Sequence, residues 1–457
     1  MAEYLIQEET MTALANQARR LSNNAKTLNA AEIAEVFSRV QGSLNENGDY
    51  SVKCMDNDGD VIKSGMYDTG EIFALPSPPQ IRPEWKFKEW VGTSSVPSNF
   101  ITIEDKSIDI GAIYNNIDNA MIYYLNITQD NGLTVNFQNL NKPHTIDWGD
   151  GVIDTLNSVG YVNCTHTYSN YGLYTVKMYG ITNLVNANVM WADEETALSI
   201  NGASIPDSCI VYDSSKLIPN NASFLNVAGT WEEITSGLGG NSNIEALVLP
   251  NGVRTLGGSA FGKCSNLRTI ILPNTISSIE DGWNEVGCFA NCASLNSIVL
   301  PDSLIELGKN AFYNCTNLKS VWISEGITEI KTDTFYNCTS LTDVHIPSSV
   351  TSIRTYAFAC DDSNVATTNF SLNKLVLPSV TSIELCAFRG LNNLRTVVLG
   401  ANNVCSIVYK ANYQDNADYS NISFYVPDEL VGAYKTTDCW SKLVDNIKPV
   451  SEYMATA

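Results

Sequence analysis

The chain has three histidines in 457 residues, His144, His166 and His345. Each stands alone in sequence, so imidazole-assisted nucleophilic catalysis has little to build on. No G-x-S-x-G, H-E-x-x-H, Walker loop or dinucleotide fingerprint occurs. Asp147 and Asp150, in the run IDWGDG, have the residue type needed for two-carboxylate glycoside hydrolysis. Set close together on a tight turn, they are expected to hold that turn instead. Asp56, Asp58 and Asp60 resemble the opening of a calcium loop, but such a loop needs Gly at its sixth position and Glu at its twelfth. Here Gly59 falls fourth and Tyr67 falls twelfth, so the D-G pair predicts a plain hairpin turn. No metal ligand set, catalytic residue or cofactor is expected.

Twelve cysteines could form a disulfide framework, but their placement predicts otherwise. Cys264, Cys292, Cys315 and Cys338 each follow a phenylalanine by three residues. A thiol at one fixed place in a recurring unit is expected to be a small buried filler. Stacked side chains point in parallel, which disfavours cross-linking. CxxC knuckles are absent, so zinc is not expected.

The recurring unit dominates the second half. ALVLP (246–250), TIILP (269–273), SIVLP (297–301), SVWIS (320–324), DVHIP (343–347), KLVLP (374–378) and TVVLG (396–400) recur at spacings of 23, 28, 23, 23, 31 and 22 residues. Between them lie Phe261, Phe289, Phe312, Phe335, Phe358 and Phe388. A unit this short cannot bury its own apolar face, so successive units must stack into one continuous core. This pattern resembles the BspA-like leucine-rich repeats of bacterial, protozoal and phage surface proteins, and the tail from Phe424 resembles the cap that ends such arrays. In the strand L-x-x-V-x-I/L the first, fourth and sixth residues are expected to point inward. The fifth then faces out, giving Val248, Ile271, Val299, Trp322, His345, Val376 and Val398. An apolar outward column predicts a contact with a ligand or another chain. The two lengthened units, around Glu280–Val286 and Asp361–Phe370, predict surface loops, where recognition often sits.

Charge narrows the partner class. With 27 basic and 49 acidic residues the formal net charge is −22, which argues against nucleic acid. No run of 18 apolar residues occurs, so membrane insertion is not expected. The opening MAEYLIQEET lacks the basic and apolar regions of a secretory signal.

The front half divides further, and the chain as a whole reads as a multidomain, mainly β protein. Residues 1–45 predict a short helical segment: Met11, Leu14 and Leu21, then Ile33, Val36 and Phe37, follow a helical rhythm. This stretch resembles the N-terminal segment of tail and fibre proteins of phages infecting gut bacteria, which implies that these six residues dock the chain to a virion. Residues 48–116, with DGDVI, P-x-x-P, WKFKEW and DIGAIY, resemble the β-grasp repeat of Listeria and Bacteroides surface proteins. Residues 119–181, with IDWGDG and then HTYSNYGLYTV, resemble a PKD-type immunoglobulin-like sandwich. Residues 182–243 predict a transition or degenerate first repeat, 244–404 the BspA-like repeats, and 405–457 the C-terminal cap.

The order of domains and the missing leader together predict a phage virion protein of tail-fibre, baseplate or head-decoration type. Its N-terminus would contact other virion proteins, its repeats would attach to a host-surface protein or glycan, and by analogy it would form a trimer. The alternative is a BspA-like cell-surface adhesin. A third reading, a glycan-degrading tail enzyme, lacks a cluster of acids: positions 246, 269, 297, 320, 343, 374 and 396 hold Ala, Thr, Ser, Ser, Asp, Lys and Thr.

Overall fold

The computed structural model describes residues 50–454 apart from 83–84, 94–99, 104–105, 128–132, 142–144, 157–160, 182, 185–187, 192–197, 206–209, 212–221, 236–237, 361–370 and 409–418. Met11, Leu14, Leu21, Ile33, Val36 and Phe37 therefore lie outside the described residues, as does the loop 361–370.

In the repeat region, two ladders of short parallel strands run along the stack. One comprises Ala246–Val248 and Thr269–Ile271, then Ser297–Val299, Ser320–Trp322 and Asp343–His345, then Lys374–Leu377 and Thr396–Leu399. It is divided into separate sheets at the two lengthened units, although the second ladder pairs across both. The other runs from Glu233–Ile234 through Thr255–Leu256, Ser278–Ile279 and Glu306–Leu307, and resumes from Glu329–Ile330 to Ser406–Ile407. Inward residues such as Leu247, Leu249, Ile270 and Leu272 are buried, as the strand pattern predicts.

A third row is made of turns. Phe261, Phe289, Phe312 and Phe335 stack face to face with centroids 5.3–5.4 Å apart. Backbone bonds tie the same coils together, as where Phe312 N–H donates to the Thr334 carbonyl at 2.9 Å. Left-handed backbone follows each of these four rings, and precedes Phe312 and Phe335 as well. Asn291, Asn314 and Asn337, two residues after a phenylalanine, have φ of 61°, 59° and 58°. Asparagine tolerates this region, and its amide adds a further ladder. Asn337 Nδ2 donates to Asn314 Oδ1, and Asn314 Nδ2 to Asn291 Oδ1, both at 2.7 Å.

The cysteines form the row the spacing predicts. Cys292, Cys315 and Cys338 are buried and unpaired by disulfides. Each thiol donates to the carbonyl of a phenylalanine in the preceding coil, at 3.2, 3.0 and 3.2 Å. Burial pushes the Cys338 thiol up to about 12. The end of the stack is closed by Ser423–Val426 and Ile447–Pro449, which extend the first ladder. Trp440 is fully buried there and donates its indole N–H to the Cys405 carbonyl at 2.7 Å.

At the other end a two-sheet sandwich shares its core with the solenoid, one apolar cluster running from Met121 to Ile447. The six-stranded sheet has the order Ile153–Thr155, Thr145–Asp147, Gly172–Tyr179, Met121–Ile127, Leu198–Ile205 and Phe224–Val227. The three-stranded sheet has Leu133–Asn141 between Tyr161–Tyr168 and Asn188–Trp191. The sheets therefore run past residue 181, because strands from 188–205 pair with Leu133–Asn141 and Met121–Ile127. Leu198–Ile205 is antiparallel to Met121–Ile127 but parallel to Phe224–Val227. It thus carries the sheet from sandwich to solenoid. No local motif marks that pairing, which is fixed only by distant partners.

The IDWGDG turn is structural, as expected. Asp147 Oδ1 accepts from Gly149 N–H and Asp150 Oδ1 from Val152 N–H. Asp150 Oδ2 meets His166 Nε2 at 2.7 Å, and the His166 ring stacks on the buried Trp148.

Residues 50–116 form a mixed sheet, ordered Val61–Tyr67, Tyr50–Met55, Ile108–Asn116 and Trp85–Gly92, with the central pair parallel. Strand alternation splits Ile108–Asn116 between two faces. Ile108 and Ile110 enter this domain's own core with Val52, Cys54 and Phe73. Gly111 and Ile113, on the other face, meet the solenoid. Asp56 forms the predicted turn, its Oδ1 accepting from the N–H groups of Asp58 and Asp60 at 3.0 and 2.9 Å. Among the described residues no group of three or more His, Cys, Asp or Glu is placed to hold a metal ion. No helix among them is long and apolar enough to cross a membrane.

Candidate interaction surface

The outward column of the first ladder forms as a row, and part of it is already in use. Val248 and Ile271, expected to face a ligand or another chain, pack in one apolar cluster with Met55, Val91 and Ile113 of the chain's own first domain. They are 2% and 1% exposed. A side chain on Gly111 would not fit, since its Cβ would lie 2.6 Å from a Val248 methyl. Gly59, at φ +90°, likewise sits against Ala246. A β sheet brings its backbone this close only where a residue without Cβ faces the contact.

Polar contacts frame the apolar seam. Lys53 Nζ donates to Ser297 Oγ at 2.9 Å, and Lys88 Nζ to the Ala228 carbonyl at 3.1 Å. Asn251 Nδ2 donates to Glu89 Oε2 at 3.0 Å, and Lys106 pairs with Asp302 at 2.6 Å. Asp109 is buried beside this seam. Its burial, opposed only in part by the charge of Lys53, holds its carboxyl above the usual range.

Further along the column the cover thins. Val299 is buried, whereas Trp322 and His345 are half-buried and stack in parallel with ring centroids 3.7 Å apart. Tyr50 meets the Trp322 ring edge-on at 5.8 Å, and it is the first described residue of the covering domain. Burial lowers the His345 pKa, against the opposing pull of Glu325 and Asp343. Val376 is 39% exposed, and Val398 is again buried. The column thus comprises a covered stretch, an aromatic step and one exposed apolar residue.

A second surface feature carries a weaker signal in sequence. The lengthened unit around Glu280–Val286 folds as a tight hairpin in which Trp283 and Val286 exchange backbone bonds at 2.8 and 3.0 Å. Its indole is 78% exposed. The spacing of 28 residues, together with glycines on both sides of W-N-E-V, marks the place. The outward side chain is not legible from either.

The opposite ladder is charged and self-paired. Lys331 bridges Asp281 and Glu306 at 2.8 and 3.0 Å, and Arg354 bridges Glu329 and Glu384 at 2.6 and 2.7 Å.

Residues 232–365 and 362–429 match the family described as the BspA type leucine rich repeat region, in 6 copies. The repeat region is therefore of BspA type, over somewhat less than half of the chain. Among curated proteins nothing matches. Solved structures with likeness include a leucine-rich repeat protein of Bacteroides ovatus, 16% identical over 52% of this chain and 76% of that one, with a TM-score of 0.25. The leucine-rich repeat protein of T. pallidum is 22% identical over 36% of this chain and 81% of that one, TM-score 0.22. The pneumococcal vaccine antigen PcpA is 16% identical over 60% and 84%, TM-score 0.24. Likeness at this level says nothing about activity or partner.

Proposed function

We propose that this chain is a BspA-like surface adhesin, a binding protein whose solenoid offers side chains in rows and carries out no chemistry. The observation that supports it most is the BspA-type repeat itself, matched over residues 232–429. Parallel coils set equivalent side chains about 4.8 Å apart. The interior is filled by leucine, isoleucine, phenylalanine and cysteine, and beside the second ladder Lys331 and Arg354 are each taken up by two carboxylates. Such a scaffold suits recognition of an extended partner. In this reading residues 48–116 are a β-grasp-like unit and 119–181 a PKD-like sandwich, together the stalk on which the repeats are carried. Partner contact falls to the uncovered part of the first column, Trp322, His345 and Val376, and to the loops. The virion reading draws on the resemblance of residues 1–45 and on the order of domains, and nothing in the described structure favours it over the adhesin.

The test uses the full chain, fluorescently labelled, against panels of intact cells, immobilised extracellular-matrix proteins and glycans. Saturable binding competed by unlabelled protein is the expected result. Absence of binding throughout, or release of new reducing ends from a bound polysaccharide, would overturn the reading.

A further inference from the structure

The hairpin at Gly282–Gly287 is built to hold a large apolar side chain in water. Gly282 N–H donates to the Lys309 carbonyl of the next coil at 2.9 Å. A Cβ on Gly287 would stand 1.8 Å from the Asn310 carbonyl oxygen. Both glycines therefore press the loop onto its neighbour, leaving little freedom at its base. At the tip Asn284 and Glu285 hold φ of 47° and 64°. Trp283 gains nothing from the fold by its position, being 78% exposed. Trp, Tyr and Arg are the residues on which binding energy most often concentrates.

The surroundings specify the occupant by charge. Glu285 lies close enough to Tyr313 and Asp333 for its charge to act on both. Burial first, and then Glu285, push the Asp333 carboxyl up to about 6. The nearby lysines are engaged elsewhere: Lys309 pairs with Asp281, and Lys331 with Asp281 and Glu306. Among the described residues no lysine or arginine pairs with Glu285 or Asp333. Tyr313 and Tyr336 stack beside them at 5.0 Å, adding aromatic surface. An exposed indole in the same hairpin as Glu285, whose charge reaches Asp333 and which no described lysine or arginine pairs, attracts a cation that is itself partly apolar. The indole face binds ammonium or guanidinium groups better than the other rings do, and guanidinium matches a carboxylate by its planar fork.

We propose that Trp283, with Glu285 and Asp333, forms a docking point for an arginine or lysine side chain of a basic polypeptide partner. This deepens the adhesin reading and rests on it for its biological setting, though not for its chemistry. The formal charge of −22 draws basic partners in from a distance, while the indole supplies contact that charge alone does not.

The experiment measures binding of the full chain to a labelled nine-residue arginine-rich peptide, with a neutral oligosaccharide and a glutamate-rich peptide as comparisons. Trp283→Ala is expected to weaken the arginine peptide about two- to thirtyfold, the range of a cation–π contact from exposed to desolvated. Trp283→Phe should restore part of the loss, and Glu285→Gln should weaken binding and flatten its salt dependence. Equal binding by wild type and Trp283→Ala would show that the peptide merely follows overall charge, and would overturn the proposal. So would an oligosaccharide that binds through Trp283 while the peptide does not. If the full chain binds cell surfaces and Trp283→Ala leaves that and the peptide binding intact, this proposal fails while the adhesin reading stands. If the peptide binds through Trp283 but no surface is bound, the reverse holds.

Discussion

If the first domain truly sits on the apolar column, Gly111 and Val248 must be energetically coupled. A Cβ at residue 111 would lie 2.6 and 2.7 Å from the two methyls of Val248, and 3.1 Å from Ile271 Cγ1. Carbon atoms prefer about 3.5–4.0 Å, so Gly111→Ala forces a shift of roughly 1 Å somewhere in the seam. Overpacking of this kind costs about 1–3 kcal/mol. Val248→Ala alone removes two buried methyls and costs about 2 kcal/mol from lost transfer energy and the space left behind. In the double variant the added methyl enters the space vacated, so the combined loss should fall short of the sum by about 0.5–3 kcal/mol. The assay is denaturant unfolding of all four proteins, with amide hydrogen exchange at 246–248, 269–271 and 108–113. Gly111→Ala should speed exchange at the column strands locally, and Val248→Ala should reverse part of it. Additivity within about 0.5 kcal/mol, with unchanged exchange at 246–248, would refute the docked arrangement.

Two further outcomes follow from the buried groups. Cys264, Cys292, Cys315 and Cys338 are buried, and burial raises Cys264 to about 11 and Cys338 to about 12. Because the thiolate is the reactive form, their peptides should escape alkylation in the native chain and label only in denaturant, whereas Cys439, half-exposed, should label first among the described cysteines. Rapid native labelling of the four would contradict the stacked interior. Asp109 has a folded pKa above its unfolded value, so the folded chain takes up this proton first. Its contribution to stability therefore grows as pH falls through the raised pKa, and is fully present below about 3.9. Asp109→Asn should remove that slope, so wild type should lose stability relative to the variant as pH rises from 4 to 8. A gain instead would mean that Lys53 pairs with the carboxylate strongly enough to reverse the sign.

Local chemistry made the repeats readable. Phenylalanine and cysteine at fixed spacing, asparagine where left-handed backbone is needed, and alternating strand residues each carry their own physical cause. These causes repeat with every coil. The hairpin at Asp56–Asp60 and the turn at Asp147–Asp150 were legible for the same reason, since a short polar side chain satisfies nearby N–H groups wherever the chain goes next.

The amino-acid order thus determined that the coils stack, which side chains line their interior, and which row points out. It did not determine what the row meets. Val248 and Ile271 read as outward because the strand period places them there, yet a sheet some 150 residues earlier covers them. The same limit applies to the strands 188–205, claimed by the sandwich, and to Trp283, left in solvent. Periodicity records which way a side chain leaves its own backbone. Whether water or a distant segment waits there is decided only when the whole chain is packed, because burial depends on surfaces far apart in sequence.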